Sequence, residues 1–277
     1  MTGLLDGLVD DAGLFPPTAL SMPEAIVRHR ADRRAANPIL THRFLCPASR
    51  IGELRAQLER GERIRVGLIA DTGVPGLAAA LTDLAADPAL DVALIEFPLD
   101  AATVPLGRVV AEFPPGVPAF VEPASYSDIA ACTPELARLG VGLKLRCGGI
   151  RPELFPSAQT LANALIAAAE AGVPVKATAG LHHAVRYTDE GTGFTHHGFL
   201  NLVLAAAAAT GGADAEAVEV VLLTDDALSL VRAATALDTS DVAATRALLT
   251  SYGSCSTTIP VAEAQAFGLI DTEGISQ

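Results

Sequence analysis

Strand-like and helix-like segments alternate along most of this 277-residue chain, and this alternation constrains the fold more than any other feature. Helix-like segments follow most of the strand-like runs, and this order is typical of α/β proteins with a parallel sheet. We predict a (β/α)₈ TIM-like barrel; a doubly wound open α/β sheet is the alternative. The eight predicted strands are Gly7–Gly13, Ile39–Leu45, Ile64–Ala70, Asp91–Phe97, Val117–Val121, Val141–Arg146, Val173–Thr178 and Leu249–Cys255.

Segment 217–224 fits a further strand or part of a helix, so the assignment after residue 210 stays open. No linker rich in Ser, Gly or Pro and no block of charge divides the sequence, and half of its residues are hydrophobic. We therefore expect a single barrel domain over 1–277, with a His-rich insertion at about 181–212.

The chain has only two lysines, Lys144 and Lys176, against 17 arginines. Each lysine stands near the end of a predicted strand, and a helix-like segment separates the two strands, which should be parallel neighbours. A buried amine can lose its proton and attack a carbonyl carbon, whereas a guanidinium stays charged. We expect catalytic lysines whose ammonium groups lower each other's pKa; the alternative is two lysines paired with strand-end carboxylates.

The charge and composition restrict the partners of the chain. A net charge of −13 disfavours nucleic acid and anionic membrane surfaces, and the absence of Trp removes a stacking platform. We expect a small anionic metabolite as the partner, and a homo-oligomer is compatible with the sequence.

The start of the sequence lacks the basic segment of a signal peptide, and no apolar stretch is long enough to span a bilayer. The four cysteines lack a C-x-x-C spacing, which favours reduced thiols. We therefore predict a cytoplasmic protein.

Polar residues follow or end nearly every predicted strand, where a barrel enzyme places its active site. Among these strand-end acids we predict Asp71 and Glu96 as pocket residues with catalytic roles. Because residues alternate between the two faces of a strand, about half of the strand-end carboxylates should instead face the helices or cap the N-terminus of the next helix.

Four of the six histidines fall in the insertion, as the pairs His182-His183 and His196-His197. One hypothesis makes His182 and His183 general acid/base groups on a loop over the barrel mouth, with Arg186 holding an anion. Another makes all four histidines ligands of a divalent metal such as Zn, Mn or Fe. Loop histidines bonded to the backbone are the plain alternative.

Further candidate anion-binding groups lie at the ends of the last three predicted strands: Arg146, Thr178, Gly253, Ser254 and Ser256. Lys144 on the sixth strand, Lys176 on the seventh and the Ser251-Tyr-Gly-Ser-Cys-Ser256 segment on the eighth resemble the deoxyribose-phosphate aldolase group of class I aldolases. The resemblance implies a Schiff-base lysine at Lys144, a neighbouring lysine at Lys176 and a phosphate-binding Gly-Ser segment. It covers only these three strands, and the motif Lys-Leu-Arg-Cys-Gly-Gly differs from the Lys-Thr-Ser-Thr-Gly of that group.

These observations lead to three hypotheses of function. The first is a cofactor-independent lyase or aldolase that forms a lysine Schiff base with a small anionic carbonyl substrate. The second is a metal-dependent hydrolase or lyase built on the four histidines. The third is a barrel that binds a small metabolite without turnover.

Overall fold

A computed structural model of the protein describes residues 3–99 and 105–270. Eight strands close into one barrel in which every neighbouring pair is parallel, in the order β1-β10-β7-β6-β5-β4-β3-β2. This closure confirms the predicted (β/α)₈ barrel and excludes the open sheet. The barrel strands are β1 (Val9–Asp11), β2 (Leu40–Pro47), β3 (Ile64–Ile69), β4 (Leu90–Leu99), β5 (Ala119–Pro123), β6 (Gly142–Arg146), β7 (Val175–Thr178) and β10 (Leu249–Ser254).

Helices follow the strands and cover the outside of the barrel. Ser21 and Glu24 form a capping box at the start of α1, and Ser157 caps α6, which ends at Gly172 in the left-handed conformation. The helices are α1 (Met22–Ala35), α2 (Ile51–Arg55), α3 (Gly73–Ala85), α4 (Leu106–Val110), α5 (Ile129–Leu139), α6 (Ala158–Ala171), α7 (Phe199–Thr210), α8 (Ala215–Leu223), α9 (Ala227–Ala236), α10 (Thr239–Leu248) and α11 (Thr258–Ala266). Within the described ranges none of these helices has the length and hydropathy needed to cross a bilayer.

Large and small residues face each other inside the barrel. A Cβ atom on Gly67 would lie 2.4 Å from Leu45 Cδ2, and one on Gly142 would lie 2.5 Å from Phe120 Cδ1. A Cβ on Gly142 would also lie 2.8 Å from the backbone carbonyl oxygen of Pro174, so glycine is required there, whereas a side chain at position 67 would make Leu45 shift. On the outer face of β2, Phe44 packs edge-on against His29 of α1, with ring centroids 5.3 Å apart.

The segment between β7 and β10 is longer than the other connections. It contains a small antiparallel hairpin, β8 (Tyr187–Thr188) and β9 (Thr195–His196), and then the four helices α7 to α10. Segment 217–224 belongs to α8, apart from Thr224, which ends it. The buried Asn201 of α7 donates to the carbonyls of Val221 and Thr224, so α7 and α8 are fixed against each other.

Candidate functional site

A continuous line of ion pairs crosses the interior of the barrel, and we call it the interior ion chain. Its members alternate in charge, and each one lies within 4.0 Å of the next. Several of these contacts join strands that are not neighbours in the sheet, so the contacts run through the inside of the barrel. In order, the members are Arg43, Asp10, Lys176, Glu96, Lys144, Glu122 and Arg146.

Lys176 occupies the most deeply buried part of the interior ion chain. Its side chain is fully buried, and its Nζ forms an ion pair with Asp10 and lies 3.5 Å from Ser251 Oγ. Asp10 also accepts hydrogen bonds from Thr41 Oγ1 at 2.6 Å and Arg43 Nε at 2.8 Å. Every charge here has a partner, which offsets the cost of removing it from water.

Glu96 on β4 bridges the two lysines. Its Oε2 lies 2.6 Å from Lys144 Nζ, and its Oε1 lies 3.3 Å from Lys176 Nζ. Apart from these ammonium groups, the Glu96 oxygens have no hydrogen-bond partner among the described residues. Lys144 Nζ also lies 2.9 Å from Glu122 Oε2, so two carboxylates hold this amine.

The pKa values reflect this arrangement. Burial alone would lower the pKa of Lys144, but the charges of Glu96 and Glu122 outweigh it and raise the pKa above its ordinary value. The expectation that the two ammonium groups lower each other's pKa is therefore wrong for Lys144, because Glu96 lies between them. Burial would raise the pKa of Glu96 and of Glu122, yet the adjacent cations lower both.

The two aspartates at the end of β1 separate as strand alternation requires. Asp10 faces the interior, whereas Asp11 faces the helices and pairs with Arg28 and, at 3.1 Å, with His29 Nδ1. Arg28 Nη1 also donates to the carbonyl of Cys255 at 2.6 Å. Asp11 therefore fixes α1 against the barrel.

Asp71 lies outside the interior ion chain. Its side chain is exposed and accepts hydrogen bonds from the backbone and hydroxyl of Ser49 at the start of the turn before α2. The chain leaves the barrel after Ile69, so Asp71 no longer follows the alternation of β3. The contacts of Asp71 fit a capping role in the loop and show no link to the lysines.

Of the predicted anion-binding groups, Arg146 shares the carboxylate of Glu122 with Lys144. Its Nε is 2.7 Å from Glu122 Oε1, and its side chain is 39% exposed at the end of β6. Thr178 and Gly253 are neighbours in register on β7 and β10. Ser254 donates to the carbonyl of Ser256, and Ser256 accepts from the backbone of Ile259, so both hydroxyls already have local backbone partners.

The four histidines of the insertion have different surroundings. His182 Nδ1 lies 3.5 Å from Cys255 Sγ, and His183 Nδ1 lies 2.5 Å from Glu263 Oε1. His196 bonds to the carbonyl of Gly180 and stacks on Tyr187, with ring centroids 4.8 Å apart.

His197 is buried, and its Nε2 bonds to the carbonyl of Pro156 at 2.9 Å. Burial lowers the pKa of His182, His196 and His197, so all three are mainly neutral near pH 7. In the described parts of the chain, no three His, Cys, Asp or Glu side chains are placed to share a metal ion. Among the described residues the four histidines therefore do not form one cluster.

The sequence did not single out Arg43, a member of the interior ion chain, or Thr41 and Ser251, which donate hydrogen bonds to Asp10. Thr41 and Arg43 are two residues apart on β2 and therefore share a face, and Ser251 lies beside Lys176 in register. The sequence predicts a strand here but does not reveal which of its faces is internal, because both faces of β2 carry polar and apolar residues.

We expect the protein to lose stability in acid because of the buried carboxylates. Asp10, Glu96 and Glu122 have pKa values below their ordinary range, so between about pH 5 and pH 2 the unfolded chain binds more protons than the folded one. The free energy of unfolding should fall by at least about 2 kcal/mol over this interval. Urea unfolding at several pH values measures it. The Asp10→Asn variant should show a shallower fall, and an equal slope in both proteins would contradict the assignment.

The fold and this site define a parallel eight-stranded α/β barrel with two paired lysines in its interior. No protein-family model matches the chain, and a search of curated proteins found no match either. The resemblance to class I aldolases therefore stays a prediction.

Proposed function

We propose that this protein is a cofactor-independent carbon–carbon lyase of the class I aldolase type. Lys144 would form a Schiff base with a small carbonyl substrate that carries an anionic group. The observation that carries the proposal is the position of Lys144 Nζ, 2.6 Å from Glu96 and 2.9 Å from Glu122 near the carboxyl end of the barrel. Active sites of this fold lie at that end.

Charge conservation is the physical basis of the proposal. A protonated Schiff base carries the same single positive charge, at nearly the same place, as the ammonium group that it replaces. The carboxylates of Glu96 and Glu122 that stabilise the ammonium would therefore also stabilise the iminium. An iminium formed in an apolar barrel would lack this stabilisation.

Lys144 is the better candidate for the nucleophile. Its side chain retains 7% exposure, whereas the Lys176 side chain is fully buried and held by Asp10. The Lys176 ammonium group instead keeps Glu96 charged, because it is one of the cations that lower the pKa of Glu96. This division agrees with the roles that the aldolase resemblance implies.

The proton of the Lys144 ammonium must leave before attack, and Glu96 and Glu122 are the adjacent acceptors. The free amine then adds to the carbonyl carbon, and the carbonyl oxygen takes up protons and leaves as water. A hydroxyl on the β-carbon then loses its proton and the bond between the α- and β-carbons breaks, so that the β-carbon leaves as a second carbonyl compound and the electron pair moves into the iminium to give an enamine. Glu122, which is 15% exposed, is the carboxylate best placed to return a proton to the substrate carbon.

Arg146 is our candidate for the substrate's anionic group. Arg146 is the most exposed member of the interior ion chain, and Glu122, which also pairs with Lys144, is its only ion-pair partner among the described residues. A guanidinium with free Nη groups at the strand end can hold a carboxylate or phosphate in a fixed orientation.

Borohydride reduction tests the proposal without knowledge of the natural substrate. The protein is incubated with pyruvate, dihydroxyacetone phosphate or acetaldehyde, reduced, and mapped by peptide mass spectrometry. We expect one adduct per chain on the Lys144 peptide, with the anionic probes ahead of acetaldehyde. The modified peptide identifies the reactive amine directly, because the amines of this sequence are the two lysines and the α-amino group. Absence of a Lys144 adduct with every probe would overturn the proposal.

A further inference from the structure

A cavity of about 310 Å³ lies beside the N-terminus of α6, against the β8–β9 hairpin. The rings of Phe155 and Phe194, with centroids 5.1 Å apart, form part of its wall. Four polar residues also line it: Ser157, Arg186, Thr195 and His197. None of these residues belongs to the interior ion chain. A volume of this size suits a small metabolite.

Two buried atoms of the cavity residues have no hydrogen-bond partner in the part of the chain that the structure describes: Arg186 Nε and His197 Nδ1. His197 is only 5% exposed, and its Nε2 bonds to the carbonyl of Pro156. Because Nε2 must then carry the proton, Nδ1 of the neutral ring is an unused acceptor. Buried polar atoms are nearly always paired, so this donor and this acceptor indicate a ligand that supplies both partners.

The charge of Arg186 is also uncompensated. No carboxylate of the described residues lies within ion-pair distance of its guanidinium, in contrast to Arg146 and Arg43. Glu263 lines a second cavity with Arg186, but its oxygens bind His183 Nδ1 and the backbone N–H of Ala184. Arg186 is thus free to pair with an anion that enters the first cavity.

The N-terminus of α6 adds to this preference for an anion. The helix has 14 residues and begins at the cavity, where Ser157 caps it and Ala158 lines the wall. Unpaired N–H groups and the positive end of the helix dipole favour a tetrahedral anion such as phosphate.

We propose that this cavity binds a small phosphomonoester that carries a free hydroxyl group. Arg186 Nε and the start of α6 hold the phosphate, the hydroxyl donates to His197 Nδ1, and the carbon skeleton lies against Phe155 and Phe194. The site is separate from the Lys144 site and does not depend on the proposed lyase activity. It provides a binding function on the rim of the barrel, outside the strands that carry the lysines.

Calorimetric titration of the full chain with glycerol 3-phosphate tests the site. We expect saturable binding of one equivalent and no binding of glycerol. Arg186→Met should weaken binding by at least about tenfold, since hydrogen bonds to a charged group are lost. The matched control Arg232→Met, at an exposed residue of α9, should bind like the unsubstituted protein.

Three further variants are titrated with glycerol 3-phosphate in the same way. Arg186→Lys retains the positive charge but removes the Nε donor, so it should bind glycerol 3-phosphate with intermediate affinity. This variant replaces Arg186→Met in the test if Arg186→Met fails to fold. His197→Phe removes the acceptor and should weaken binding about threefold or more. Lys144→Arg should bind normally, which separates this site from the Schiff-base site. Equal affinity in Arg186→Met, equal binding of glycerol, or tighter binding of glycerate would each overturn the phosphomonoester site.

Discussion

Replacing Lys144 by arginine should abolish borohydride trapping of a carbonyl ligand while the protein stays folded. The guanidinium keeps a positive charge near Glu96 and Glu122, so the largest electrostatic contribution of Lys144 is retained. It cannot form a Schiff base, because it does not give up its proton at any accessible pH. We expect the adduct yield to fall at least about a hundredfold. Mass spectrometry measures it after incubation with pyruvate or dihydroxyacetone phosphate and reduction with borohydride.

A matched control separates a specific site from general amine reactivity. Arg151→Lys places a new amine at an exposed position after β6, and that amine should remain unmodified under the same conditions. Near-normal thermal unfolding of Lys144→Arg is required for its result to count. Undiminished trapping in this variant, with the adduct on Lys176, would show that the assignment of the nucleophile is reversed.

Lys176→Met should cost about 3–5 kcal/mol of the free energy of unfolding. Methionine fills much of the lysine volume, but it leaves the fully buried Asp10 with Arg43 as its only ion-pair partner among the described residues and removes one cation from Glu96. A buried charge that loses its partner keeps its cost of desolvation without the compensating attraction. Urea unfolding at pH 7 measures the loss.

The double variant Asp10→Asn with Lys176→Met tests the cause. Removing the orphaned carboxylate together with the lysine should recover at least about half of the loss, because the buried charge is then gone. Arg232→Met removes an exposed arginine 3.9 Å from Asp226 and should leave the unfolding transition unchanged. A Lys176→Met variant as stable as Arg232→Met would contradict the structural role of the pair.

The sequence predicts the barrel well because its strand signal is repeated eight times. Each predicted strand overlaps an observed one, and the predicted adjacency of the Lys144 and Lys176 strands is confirmed by their register. Segment 217–224 stayed ambiguous because its apolar residues fit either period; the preceding Asp214 caps a helix there, and this capping decides the outcome.

Side-chain partners were much harder to predict than strands. The sequence shows that Lys144 and Lys176 reach one edge of the sheet, but only the closed barrel brings Glu96, from a strand that neighbours neither of theirs, between them. For the same reason the expected lowering of the Lys144 pKa was wrong. That expectation took account of the two cations but not of Glu96 and Glu122, the carboxylates that pair with Lys144. Asp71 follows its strand in the sequence as closely as other candidates do, yet a loop contact withdraws it from the interior.

The interior ion chain also has a consequence for how the barrel can be assembled. Asp10, Arg43 and Glu96 come from the first four strands, whereas Glu122, Lys144, Arg146 and Lys176 come from the last four. One half barrel thus contributes an excess of negative charge and the other an excess of positive charge, and neither half alone can neutralise its own interior. The two halves of this barrel therefore carry opposite excess charges, and each lowers the electrostatic cost of burying the other.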